Sequence, residues 1–358
     1  MFNELTSMAE WSRAMPWHRR GLVYPVPVEE DDCVGAAAWL DRHGQYGFTG
    51  QSVYSVLLFV ARLSRYNPLV DYLNNVEWDG QERLYRWLTD YLGAANTPYT
   101  SAIGIRFMIS AVARAMRPGC KVDTMLILEG EQGRGKSTSL KVLFGERHFT
   151  DDIAEIGTKD AAQQLHGHWC IEMAEMSQLV KVEAKKIKEW LSRSTDKFRL
   201  PYGRRPEPFP RTCVAVGTCN VTDGEYLKDE TGARRFWPVY VTQCDVDALA
   251  RDRDQLWAEA MHWFSQGQQW WLTAPEVELA KPEQEGRREV DTWELVLADH
   301  LSGTNLTSAE EILKNVLHIE IADQTLAHKK RIGRALRSLN WEPIKIKRAG
   351  ATYNMWQP

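Results

Sequence analysis

The sequence has no Cys-x-x-Cys spacing: its six cysteines, Cys33, Cys120, Cys170, Cys213, Cys219 and Cys244, are scattered along 358 residues. That excludes the usual zinc and dithiol motifs and fits a reducing compartment. No apolar run approaches the ~18 residues that a membrane span needs. No leader peptide is read at the N-terminus, so a cytoplasmic protein without membrane contact is expected. Internal repeats and low-complexity tracts are missing. An excess of basic charge is missing too: the formal net charge is −4. A uniformly basic coat for nucleic acid is therefore excluded, and any attraction to DNA must come from local patches.

What is present is globular in balance, with 44% hydrophobic and 26% charged residues, enough to bury a core over roughly two or three domains. Tryptophan is abundant, and Trp257, Trp263, Trp270, Trp271 and Trp293 fall in one region, where core packing is expected. Residues 1 to about 30 carry Pro16, Pro25 and Pro27 and read as an irregular arm. From Val34 to Leu92 the texture is helical, with Val53, Val56, Leu57, Val60 and Leu63 at helical spacing. Pro68 breaks that run and Asp79-Gly80 turns the chain. Thr97 can cap a further helix with Pro98 at its first position, where a missing N–H costs nothing. This helix is expected to run to about Met116.

The texture then changes. Thr124 to Leu128 is a short, continuous apolar run, as are Trp169 to Ile171, Cys213 to Gly217 and Phe236 to Tyr240. Runs of this kind suit parallel strands buried on both faces. Helical stretches lie between some of them, so an α/β sheet is expected from about 120 to 242. The division expected is an arm and helical domain over residues 1–96, a core over 97–243, a helical segment over 244–303 and a small separate unit over 304–358.

Between the first strand and the next helix stands Gly130-Glu131-Gln132-Gly133-Arg134-Gly135-Lys136-Ser137, followed by Thr138. This is a complete G-x-x-x-x-G-K-[ST] phosphate loop in the required strand–loop–helix context. The glycines let backbone N–H groups converge on an oxyanion, and the helix start adds its positive end. Lys136 then reaches the β- and γ-phosphates of ATP, and the Ser137 hydroxyl completes a Mg²⁺ shell. A second acid is needed for metal and water. Glu172 and Glu175, just past the second run, stand where strands of an open parallel sheet meet their ligand; either can serve the metal shell and the other orient water. The third run ends at Asn220, an amide able to contact a γ-phosphate or water. Arg234 and Arg235 precede the fourth run and suit a phosphate sensor or an arginine finger.

These residues together resemble the virulence-associated protein E family of phage and mobile-element ATPases, relatives of superfamily 3 helicases in the AAA+ class. The resemblance rests on Tyr66-Asn67-Pro68 with Val70 to Leu73, Val76 to Gly80 with Arg83-Leu84, the phosphate loop, and Trp169 to Glu175. Phe198 to Tyr202 with Arg211, Gly217 to Asn220, and Gly232 to Phe236 complete it. It implies an AAA+-like core, with Lys136 and Ser137 on nucleotide and metal, Glu172 and Glu175 as the acidic pair, and Asn220 as sensor. Arg234 or Arg235 would then be a finger reaching a neighbour's nucleotide in a homo-oligomer, hexameric in superfamily 3 relatives. One departure is that the acids are spaced Glu-x-x-Glu rather than adjacent.

Lys181 to Arg205 holds nine basic residues against three acids. Its first half is helical in pattern; its second half, with Lys197, Arg199, Tyr202, Arg204 and Arg205, reads as a hairpin with a basic tip. Superfamily 3 relatives aim a hairpin at this place into a central channel. A basic tip would grip single-stranded or forked DNA by its phosphates, with Tyr202 or Phe198 stacking on a base. The tail supplies a second case. Ser308 and Glu311 make a capping box, and a helix from Leu326 to Leu339 carries Lys329, Lys330, Arg331, Arg334 and Arg337 outward. Two alternating segments follow around Arg348-Ala349-Gly350. Helix, turn, basic helix, hairpin is the pattern of a winged helix-turn-helix on duplex DNA.

The activity this predicts is an ATP-dependent DNA helicase or translocase, a DNA-stimulated ATPase in phage or mobile-element replication. The alternative is a nucleotide-gated DNA-binding regulator or initiation protein that separates no strands. A small-molecule phosphotransferase would leave the basic hairpin and tail without a purpose.

Overall fold

The computed structural model describes residues 1–18, 21–153, 156–176, 186–200, 205–220, 227, 233–288, 291–348 and 351–358. They form two compact units, Met1–Arg287 and Arg288–Pro358.

The first unit opens on a small sheet, which corrects the expectation of an irregular arm. Strands β1 (Phe2–Asn3), β2 (Met8–Trp11), β3 (Val26–Pro27) and β4 (Arg65–Tyr66) lie in the order β3-β2-β1-β4. Two-residue strands carry no readable alternation, and β4 pairs in parallel with β1 from more than sixty residues away. Helices α1 (Glu30–Arg42) and α2 (Gly50–Ala61) pack beside this sheet around Cys33, Ala36, Ala37 and Val53. Helices α3 (Pro68–Asn75) and α4 (Trp87–Leu92) follow. Helix α5 (Pro98–Met116) starts as expected, the Thr97 side chain accepting from the Thr100 N–H at 3.1 Å with Pro98 in the first turn. It is buried on almost every side, the mark of a central helix.

The core of this unit is a five-stranded sheet of β5 (Met125–Glu129), β6 (Phe149–Thr150), β7 (Cys170–Met173), β10 (Val214–Cys219) and β11 (Phe236–Tyr240). Every pairing in it is parallel, and the order is β11-β5-β10-β7-β6. All five residues of β5 are buried, as a strand covered on both faces demands. On one face Leu126 and Leu128 join Phe107, Trp169, Trp257 and Trp237. On the other, Met125 and Ile127 join Ile171, Ile187, Trp190 and Phe236. Helices α6 (Lys136–Phe144) and α7 (Lys159–Leu165) follow β5 and β6, and α8 (Val246–Ser265) and α9 (Ala274–Glu285) follow β11. The edge strand β6 has two residues, too few for a periodic signal. The tryptophan expectation holds for Trp257, fully buried, but not for Trp271, which is 54% exposed.

Between β7 and β10 the residues 186–191 are helical, and β8 (Thr195–Phe198) pairs antiparallel with β9 (Glu207–Pro210). The hairpin is therefore present; its tip, with Tyr202 and Arg204, lies outside the described residues, as do residues 181–185 of the expected helix.

The second unit contains α10 (Thr292–His300), α11 (Ala309–Asn315), α12 (Leu326–Ser338) and an antiparallel pair, β12 (Glu342–Arg348) with β13 (Ala351–Gln357). The Ser308–Glu311 capping box forms. Leu297, Ile312, Leu313, Ile332, Leu336, Trp341 and Trp356 make its core.

Candidate functional site

Strand β5 delivers the chain to the loop of residues 130–135, and α6 begins at once with Gly135 as its N-cap. Gly133 and Gly135 have φ of 79° and 87°, the left-handed region that a residue with a Cβ avoids. Gly130 is required for a different reason: a Cβ there would stand 2.4 Å from the Val241 carbonyl oxygen. Lys136 is 9% exposed, and its Nζ donates to the carbonyls of Gly130 at 2.7 Å and Glu131 at 2.9 Å. The ammonium is thus held over the loop. The first N–H groups of α6 have no intrahelical acceptor, as at any helix start. Glu131 and Arg134 form an ion pair on the outside of the loop, and Arg134 also donates to Gln243 at 3.3 Å. The Cys244 amide donates to the Arg134 carbonyl at 3.1 Å. Burial pushes the Cys244 thiol pKa up, against the pull of Ser139 and Lys136, so it packs as a small apolar group.

Glu172 projects from β7 and is 1% exposed. Its Oε1 accepts from two hydroxyls, Ser137 at 2.7 Å and Thr218 at 2.6 Å. Its Oε2 is buried with no hydrogen-bond partner among the described residues. A carboxylate oxygen left unpaired in the interior is costly. A divalent cation at this point would remove the cost, and the hydroxyl of Ser137 with the carboxylate of Glu172 is the hard-oxygen set that Mg²⁺ takes. The residues present therefore fit a Mg²⁺ ion.

Glu175 lies three residues on, exposed, with φ of 51°. Its turn is seated by Met176, which is buried against Gly217; a Cβ on Gly217 would lie 2.8 Å from Met176 Cγ. Asn220 directly follows β10, whose last residue Cys219 pairs with Glu129 and accepts from the Gly130 N–H at 3.3 Å. The phosphate loop, Glu172, the Glu175 turn and Asn220 thus share the C-terminal edge of the sheet.

Arg234 and Arg235 do not join them. They form a short turn before β11, and β11 starts opposite Met125, at the far end of β5. A five-residue strand separates the two edges by about 17 Å. Arg235 faces Asp123 at 3.7 Å, whereas Arg234 is exposed. The β8–β9 hairpin rises from the same far edge, where the Arg211 N–H bonds the Ser194 carbonyl. Lys197, Arg199 and Arg205 are exposed on it.

Three features at these edges escape a reading by residue type. Thr218 meets Glu172 only because β10 lies next to β7. Arg287 forks onto Glu129, the residue before the loop, at 2.8–3.1 Å; burial lowers its pKa, but the bonds to Glu129 and Glu283 outweigh this and raise it. Third, the hairpin base is held by Arg211. Its Nε and Nη2 bond Asp196 at 2.5 and 2.9 Å, its Nη1 bonds the Trp190 carbonyl, and its guanidinium lies 4.6 Å from the Trp190 ring. Both partners are almost fully buried. Arg211→Ala strands the Asp196 carboxylate, so unfolding stability measured in urea is expected to fall by about 3–5 kcal/mol.

The motif residues upstream serve the frame. Tyr72 donates to Asp254, and Gln255 accepts from the Asp79 N–H. Asp79 grips Arg83 with both oxygens, and Glu259 accepts from the N–H groups of Arg83 and Leu84. All three partners are on α8, which is tied to α6 by the Trp257 indole bonding the Leu143 carbonyl at 2.8 Å.

In the second unit the basic helix α12 divides. Lys329 pairs with Glu310, and Arg331 forks onto Asp291 while stacking 4.1 Å from Trp293. Arg337 bonds the Gly333 carbonyl and lies over Trp356, yet remains exposed, as do Lys330 and Arg334.

A family model, the virulence-associated protein E-like domain, matches residues 73–289. Among solved structures the chain is similar to the C-terminal region of NrS-1 in its A-form apo state, at 13% identity over 79% of this chain and 78% of that one, TM-score 0.47. It is also similar to JCV helicase, at 11% identity over 76% and 87%, TM-score 0.29. No curated protein sequence matches it.

Proposed function

The chain belongs to the virulence-associated protein E-like family, and from that premise we propose that it is a DNA-stimulated ATPase with an AAA+-like core. The observation that carries this reading is the meeting of Ser137 with Glu172, 2.7 Å apart beside a buried carboxylate oxygen that has no partner among the described residues. The sheet order adds support, because β5 lies where the strand order reverses, the place at which open parallel sheets bind ligands.

In this reading the amides of residues 130–138 and the Lys136 ammonium receive the triphosphate. Ser137 and Glu172 hold the Mg²⁺ ion, which when bound neutralises charge on the β- and γ-phosphate oxygens. Glu175 accepts the proton of the attacking water, and Asn220 orients that water or the γ-phosphate. Arg234, exposed at the far edge of the sheet, is directed to the nucleotide of a neighbouring subunit. That role requires a homo-oligomer.

The basic hairpin is proposed to hold single-stranded or forked DNA through Lys197, Arg199, Arg204 and Arg205, with Tyr202 stacking on a base. The second unit is proposed to be a winged helix-turn-helix that meets duplex DNA through Lys330, Arg334 and Arg337. Lys329 and Arg331 are committed within the unit and contribute less.

Hydrolysis by the purified chain, measured with and without single-stranded DNA, tests the reading. The double variant Arg204→Ala, Arg205→Ala is expected to keep basal hydrolysis and lose DNA stimulation. Full stimulation in that variant removes the hairpin from the mechanism. Strand displacement on a forked duplex then separates a motor from a nucleotide-gated regulator.

A further inference from the structure

We propose that Thr218 is a positioning residue, which holds the Glu172 carboxylate in the one orientation that serves a magnesium–nucleotide complex. The inference rests on the ATPase reading above and deepens it.

Glu172 has two hydroxyl donors on a single oxygen. Ser137 comes from the first turn of α6 and Thr218 from the middle strand β10, at 2.7 and 2.6 Å. The two are not equivalent. Ser137 belongs to the phosphate loop, and its oxygen is the one that a loop-bound cation takes as a ligand. Thr218 is 6% exposed on a strand paired on both sides, with β5 through Leu128 and with β7 through the neighbouring Gly217–Met173 pair. It stays in place whatever the loop does. Its hydroxyl fixes Oε1, and with Oε1 fixed the remaining lone pairs of the carboxylate belong to Oε2, the buried oxygen without a partner among the described residues.

Without Thr218 the carboxylate keeps one hydroxyl anchor, Ser137. It can turn about its terminal torsion, a broad two-fold well, and present either oxygen. Removal of groups that orient a metal's ligands typically lowers metal affinity or activity about 10- to 100-fold. Valine is the matching deletion, since it keeps the β-branched shape that suits a strand and removes the hydroxyl. Serine keeps the hydroxyl.

The experiment titrates ADP into the full chain by calorimetry, once with Mg²⁺ and once with EDTA, and reads the affinity gained from the metal. Thr218→Val is expected to bind ADP in EDTA like the wild type and to lose at least tenfold of the Mg²⁺-dependent gain. Thr218→Ser is expected to restore most of it. Melting curves of the three proteins without nucleotide control for folding. A Thr218→Val chain that melts like the wild type and keeps the whole Mg²⁺-dependent gain overturns the positioning role alone. A fall of equal size with and without Mg²⁺ overturns it as well, because it marks a general loss of packing. A wild-type chain that binds no nucleotide at all overturns the ATPase reading and this inference with it.

Discussion

Replacing Lys136 with alanine is expected to leave a folded chain that no longer turns over ATP. The side chain is not a structural cornerstone: its ammonium donates to the Gly130 and Glu131 carbonyls, and both lie at the loop. Removing it takes away a positive side chain held over the cradle. Loss of a single preorganised charge-stabilising group costs about 10²–10³ in rate, and here nucleotide affinity falls as well, so turnover should drop below about a thousandth of the wild type. Lys136→Arg should not rescue it, because the planar guanidinium cannot occupy a nest built for a compact ammonium. Phosphate release assays together with nucleotide titration read both effects. Turnover at the wild-type rate in Lys136→Ala would break the reading at its base.

Features carried by consecutive residues were legible before the structure. The phosphate loop is eight residues in a row, and the Thr97–Pro98 helix start and the Ser308–Glu311 box are short-range patterns with their own hydrogen bonds. Four of the five core strands were legible because each carries a continuous apolar run; β6, with two residues, was not. Features made by strand order were not. Nothing along the chain says that β10 lies between β5 and β7, so nothing says that Thr218 touches Glu172. For the same reason, the placement of Arg234 and Arg235 at the far edge from the loop follows only from the parallel pairing of β11 with β5. The N-terminal sheet was missed because β1 and β4 are two residues each and pair across α1 and α2.

That separation of edges sets a condition on any coupling between DNA and nucleotide. The hairpin base and the loop are at opposite ends of the same strands, and β10 runs from one to the other. Arg211 and Asp196 clamp its start, while Thr218 and Asn220 stand at its end. If the hairpin holds DNA as proposed, the described link from its base to the loop is β10, whose Ala215 and Cys219 share a core with Ile187, Trp190 and Leu191 of the helix at 186–191.

The second large effect expected separates the two glutamates. Glu172→Gln keeps an oxygen for the hydroxyls of Ser137 and Thr218 but replaces Oε2 with an NH₂ group. A donor then points at the place proposed for the cation, so the Mg²⁺-dependent part of nucleotide binding should be lost and hydrolysis with it. Glu175→Gln changes an exposed side chain that makes no hydrogen bond to Ser137 or the phosphate loop among the described residues. Nucleotide and Mg²⁺ binding should survive, while hydrolysis falls by about 10²–10⁴, the contribution of a positioned general base. The backbone at Glu175 favours this division: a non-glycine residue at φ 51° costs about 1–3 kcal/mol and usually persists where a site uses it. Glycine at 175 relieves that strain, so Glu175→Gly should be as inactive as the glutamine variant yet no less stable than the wild type. If Glu175→Gln hydrolyses ATP at the wild-type rate while Glu172→Gln is inactive, a single carboxylate serves both metal and water, and the pairing of the two acids is wrong.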